Sequence, residues 1–215
     1  MDNIEIINLW KQYDEKLEKS ISLNHQIIAE LQQQKAKKVL KPAKNIKLFG
    51  VVAGIIYIAF LAFLVLNSLS FENIFFVASL SISIVITLIA VAYYMYHIKL
   101  INEIDNSNSI VQIQEKLSRL QASTLNVVRI LLLQLPFYAT WYINFEWIRE
   151  SPDMFYFIHI PIVLLFAVAA IWSFKNITIK NMDKKWFKFL FQGPEWTSII
   201  KSGRFLKEIE SFKQS

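Results

Sequence analysis

Cysteine is absent from the 215 residues, and glycine and proline occur only four and five times. Without cysteine there can be no disulfide framework, thiolate-held zinc, iron–sulfur cluster or thiol nucleophile. So little glycine and proline excludes a β fold rich in turns. Charge is thin too, at 19% of residues, although it sums to a formal +6. What fills the space is apolar: 54% hydrophobic and 14% aromatic residues, with a mean hydropathy of +0.36. A soluble domain of this size cannot hide that much apolar surface, and a disordered chain would be far more polar. The composition predicts an all-α membrane protein.

Four apolar runs carry that reading, over 46–69, 74–97, 127–148 and 154–174. Each supplies the roughly 20 residues a helix needs to cross about 30 Å of hydrocarbon while closing its own backbone hydrogen bonds. The third run is the least apolar, since it holds Arg129, Gln134, Pro136, Asn144 and Glu146. Basic residues set the orientation. Nine lie in 1–47, four in 98–129 and nine in 173–215, whereas the two short links contribute only Arg149. The positive-inside rule therefore predicts cytoplasmic termini and a cytoplasmic middle loop. The charged, helix-patterned first 45 residues do not read as a signal peptide.

Long amphipathic or coiled-coil helices are expected on that cytoplasmic side. Segment 1–45 reads as one helix until Pro42, where the junction with the first span should bend. Ile6, Trp10, Tyr13, Leu17, Ile21, Asn24, Ile28 and Leu31 recur at steps of three and four, which traces an apolar stripe. Trp10, Tyr13, Leu17, Ile21, Ile28 and Leu31 are the candidate partner-binding residues. Segment 98–126 reads as a helical hairpin that breaks at Asp105–Ser109, with Ser109 and Gln112 as a capping box. Ile110, Ile113, Leu117, Leu120 and Thr124 follow at heptad spacing. The tail 175–215 interleaves Lys184, Lys185 and Lys188 with Trp186, Phe187, Phe189 and Phe191, a mixture suited to an anionic membrane surface. After Gly193-Pro194 come two short helical pieces, 195–202 and 204–212.

Within the spans, Gly50 and Gly54 form a small-xxx-small pair, and Ser79, Ser83 and Thr87 a polar stripe; both are helix-packing signals, within one chain or between copies. Asn144, Glu146 and His159 could gather near the outer face, where ionisable residues in a membrane are candidates for function. Catalysis finds little support. His25 and His97 fall on the cytoplasmic side and His159 toward the outer one, so no two meet at a haem or a multi-histidine iron centre. A phosphate-cradling glycine loop is missing, as is an acidic pair within a span. No cofactor, metal or nucleic acid is expected; membrane lipids, a cytoplasmic protein and further copies of the chain are the partners these residues suit.

The motif Leu9-Trp-Lys-Gln-Tyr-Asp-Glu-Lys-Leu-Glu-Lys-Ser-Ile-Ser-Leu-Asn24 followed by four spans resembles inner-membrane proteins of Bacteroidota. The layout is shared over most of the chain, but only this motif is distinctive. The resemblance implies a link to extracytoplasmic-function sigma factors and an anti-sigma-like role, though the zinc-binding His/Cys motif of the best-known anti-sigma domain is lacking. It transfers no site residues. Three readings stay open: a regulator that holds a soluble partner, an oligomeric structural or accessory subunit, and a small transporter or lipid-binding protein.

Overall fold

The computed structural model describes residues 3–106 and 110–214, with side chains over 10–106 and 110–205. Among these residues every regular element is helical. Helix α1 (Asn3–Lys38) runs 36 residues, about 54 Å at 1.5 Å per residue. The chain turns at Val39 and Leu40, and α2 (Lys41–Asn67) begins with Pro42 in its first turn, where a missing N–H costs nothing. A short link leads into α3 (Ile74–Asp105), and α4 (Ile110–Leu132) returns beside it. Ser109 lies outside the described residues, so the expected capping box does too.

Four helices are long and apolar enough to cross a membrane. Those in α2 and the fourth run bury about a tenth or less of their apolar window, against a third for α3 and the α4 run. The central pair is thus α3 and α4, and the outer pair presents its apolar surface outward. Phe49, Phe60, Phe63, Leu66, Phe157 and Leu165 all stand more than half exposed. Hydrocarbon is the environment that suits such a surface.

The third run differs from the single helix expected over 127–148. Helix α4 ends at Leu132, a four-residue α5 (Leu135–Tyr138) follows, and after a loop comes α6 (Phe145–Glu150). Pro136 explains the first break, because it has no N–H to continue the ladder. The chain tightens instead: Leu133 and Gln134 donate to Ile130 and Leu131, three residues back. The fourth run starts with α7 (Pro152–Met154), widens into a π turn over Phe155–His159 and continues as α8 (Ile160–Asn176). Pro161 again lacks a donor, and the turn before it expands.

At the end opposite the short links, the helices outrun the apolar layer and form a bundle. Its core joins Ala36, Leu40, Ala43, Leu100, Ile101, Ile104, Ile113, Leu117, Leu120 and Ile199. The heptad-spaced residues of 110–124 are therefore core, as their spacing demands. Ile199 belongs to α10 (Pro194–Gln214), an element that sequence pattern leaves at the membrane surface as two pieces. It is one helix, seated against α1, α2 and α4. Gly203 interrupts nothing; it faces Leu117 Cδ2 at 3.5 Å from where a Cβ would stand.

Candidate functional site

Four places carry the side chains singled out by sequence, and a fifth was not foreseen. Along α1, the apolar stripe is left uncovered. Trp10 is 67% exposed, and Tyr13, Leu17, Ile21 and Leu31 are exposed as well, with Ile28 half-buried. The face that packs runs instead through Ala29, Ala36 and Leu40. Small residues win there because they let α10 approach α1 closely. The stripe is offset round the helix and stays exposed from Trp10 to Ile21.

Gly50 and Gly54 serve contacts inside the chain. A Cβ at Gly50 would stand 2.5 Å from the Tyr94 ring, and one at Gly54 2.5 Å from Val91 Cγ2, so both glycines let α2 sit close to α3. The stripe Ser79, Ser83 and Thr87 is buried, each hydroxyl donating to the carbonyl four residues back. It faces the broken third run. Gln134 Nε2 lies 3.1 Å from Thr87 Oγ1, Tyr138 donates to Gln134 Oε1 at 2.5 Å, and Thr140 Oγ1 meets Ser79 Oγ at 2.7 Å. The polar seam on α3 thus meets the polar side chains of the run that breaks opposite it.

Near the short links, Asn144, Glu146 and His159 do not form one cluster. Asn144 Oδ1 caps α6 through the Trp147 N–H at 2.6 Å, and Glu146 stands exposed in the first turn of that helix. His159 is buried with its Nδ1 3.1 Å from the Tyr142 hydroxyl, edged by Tyr142 and Trp147 and stacked on Phe155. This group is thus an aromatic box around one imidazole, with Trp147 in contact with both the imidazole and Asn144.

The tail divides. Of the residues read as a membrane-surface segment, Lys184, Lys185 and Phe189 are exposed on α9 (Lys185–Leu190) and its flank, as is Lys188. Phe187 is buried, and Trp186 and Phe191 are half-buried, which corrects that expectation for these three. With Leu125, Ile177 and Trp196 they make a second core under α9. Phe187 stacks on Phe191 with centroids 4.3 Å apart.

Between the two cores lies the feature that sequence pattern missed. Lys47 is 1% exposed, with its Nζ 2.5 Å from Glu195 Oε1, 3.4 Å from Thr124 Oγ1 and 4.6 Å from the centre of the Tyr94 ring. Close by, His97 Nε2 and Ser123 Oγ are 2.7 Å apart, joining α3 to α4. Lys47 thus joins α2, α3, α4 and α10 at one point. In the sequence it is one of nine lysines that set orientation, and nothing marks it as buried. Arg129 is also tied down: it donates to the Phe174 carbonyl at 2.6 Å and covers that ring, satisfying the end of α8.

No group of histidine and acidic side chains able to hold a metal occurs among the described residues. Neither a family, nor a curated protein, nor a solved structure matches the chain.

Proposed function

We propose that this chain is a non-enzymatic, multi-pass regulator of the bacterial inner membrane that holds a helical protein partner on its cytoplasmic bundle. The observation that carries the reading is the free stripe of α1. Trp10, Tyr13, Leu17, Ile21 and Leu31 repeat at helical spacing and stay exposed, while the same helix is anchored further on through Ala29 and Ala36. A helix-in-groove or helix-on-helix contact reads such a row of anchors. The positive-inside rule puts this face in the cytoplasm, along with every long polar segment. An anti-sigma-like role follows from the resemblance of the Leu9–Asn24 motif and would use the same face.

The packing also weighs against a structural subunit that assembles through its spans. Gly50, Gly54 and the Ser79–Thr87 stripe are occupied within the chain, so association of copies would have to use another surface.

The test is site-directed photocrosslinking of the full chain in native membranes, with the probe at Leu17 or, as a buried control, at Ala36. The Leu17 probe is expected to capture one soluble protein, and Trp10→Ala with Tyr13→Ala to abolish capture. A Leu17 probe that reaches only a second copy of the chain, or nothing, overturns the reading.

A further inference from the structure

We propose that the elbow between α9 and α10 is a binding site for one anionic phospholipid, with the phosphate in a basic cleft and an acyl chain in an adjoining apolar groove. This goes beyond the docking of a protein on α1 and does not depend on it. The cleft, of about 420 Å³, is floored by Phe187, Phe191 and Trp196 and edged by Lys188, Lys201 and Arg204. Asp183 is its one acidic lining residue. Among the described residues none of the three cations forms an ion pair, whereas Lys116 and Arg119 each find a carboxylate. Three cations against one carboxylate in the lining suit a phosphate, and more so two phosphates on one headgroup.

The other half of the ligand is indicated by what lies across the aromatic wall. A second cavity, of about 280 Å³, shares Phe191 and Trp196 with the cleft; Val128, Leu132, Ile177 and Leu190 give it apolar walls, and Thr124 and Glu195, the partner of Lys47, also line it. A molecule with its phosphate on one side of that wall can lay a hydrocarbon chain on the other. A soluble phosphate ester has nothing to place there. Depth fits as well. Trp172, one turn from the end of α8, packs on Trp186 with centroids 5.1 Å apart, the position of an interfacial aromatic belt. Beside it Phe189, 74% exposed, and Leu190 project from α9 with no protein to cover them. The elbow therefore sits where headgroups meet acyl chains.

Native mass spectrometry of the full chain, released from nanodiscs of phosphatidylcholine with a minor fraction of cardiolipin or phosphatidylglycerol, tests this. One anionic lipid is expected to stay bound per chain, cardiolipin in preference to phosphatidylglycerol. Lys188→Gln, Lys201→Gln and Arg204→Gln together are expected to weaken retention on the order of a hundredfold, at about fivefold per basic residue. Lys188→Arg with Lys201→Arg keeps it, which separates lost charge from lost folding. Neutralising Lys11, Lys16 and Lys19 serves as the equal-charge control and leaves retention intact. Equal loss in that control, or undiminished retention in the triple variant, overturns the proposal. So does inorganic phosphate or glycerol phosphate displacing the lipid at matched concentration, which would make the site one for a soluble phosphate.

Discussion

Lys47 and Glu195 meet at 2.5 Å across the junction of α2 and α10, and the lysine is 1% exposed while the glutamate keeps 22% of its surface. Such a pair is not strongly stabilising in itself, because taking an ammonium out of water costs about what the attraction returns. Its importance lies in what happens when one partner is removed.

Glu195→Gln removes the charge opposite the buried ammonium and leaves it only an amide oxygen, Thr124 and the Tyr94 ring. The loss expected is about 3 kcal/mol, the lower end for breaking a buried pair, since Glu195 is partly hydrated. Replacing both, as Lys47→Met with Glu195→Leu, is expected to recover most of it, because two apolar side chains can fill the site. Trypsin gives the readout. Release of α10 exposes cleavage after Lys201 and Arg204, faster in Glu195→Gln and near the wild-type rate in the double variant. Equal cleavage in the single variant and the wild type would show that the pair does not hold α10.

Close approach of α2 and α3 supplies a second test. At Gly54 an added methyl would stand 2.5 Å from Val91 Cγ2, inside any real contact. Gly54→Ala is thus expected to destabilise by about 1–3 kcal/mol through overpacking, less up to about 1 kcal/mol gained in helix propensity. Trimming the neighbour, as Gly54→Ala with Val91→Ala, removes the clash and restores the gain. Unfolding from mild detergent by a denaturing one resolves the three. A change of oligomeric size with no change in stability would mean that Gly54 serves an interface between copies.

The seam along α3 predicts smaller numbers. Gln134→Leu deprives the Tyr138 hydroxyl of its acceptor and Thr87 of a donor, although Thr87 keeps its bond to the Ser83 carbonyl. Hydrogen bonds between helices in a membrane are worth about 0.6 kcal/mol on average and rarely exceed about 1.7. A loss near 1 kcal/mol is expected, measured by the same unfolding, and Tyr138→Phe added to Gln134→Leu should cost less than Tyr138→Phe alone. Full additivity of the two would place Tyr138 and Gln134 in separate interactions.

These residues also show where sequence is sufficient. Long apolar runs are a one-dimensional signal, so the four membrane-length runs could be counted directly, although the third, read as one helix over 127–148, breaks after Leu132. The heptad of 110–124 could be read for the same reason, since its apolar positions are its buried ones. Gln134 and Pro136 were visible as weaknesses of the third run. Their meaning depends on Ser79 and Thr87 standing opposite, and no periodicity carries that. On α1 the hydrophobic pattern picks out Trp10 and Leu17, whereas packing uses Ala29 and Ala36, whose small side chains contribute little to any stripe. Lys47 and Glu195 become a pair only when α10 folds back, so neither is distinguishable from a solvated charge beforehand.

The native chain has no cysteine, so single introduced thiols report topology without background. Ser22 on α1, Ser118 on α4, Ser70 in the first short link and Glu150 at the end of α6 are all exposed. Each tolerates a cysteine, since exposed substitutions change stability by about 0.5 kcal/mol or less. If basic residues fix the orientation, a membrane-impermeant maleimide added to sealed inverted inner-membrane vesicles labels Ser22→Cys and Ser118→Cys. It labels Ser70→Cys and Glu150→Cys only after the vesicles are opened. Moving charge should matter in proportion to position. Adding two lysines beside Ser70 opposes the nine in residues 1–47 and is expected to leave the pattern intact, because the larger cluster dominates. Labelling of Ser22→Cys solely in opened vesicles would put the α1 stripe, and any partner it holds, on the outer side.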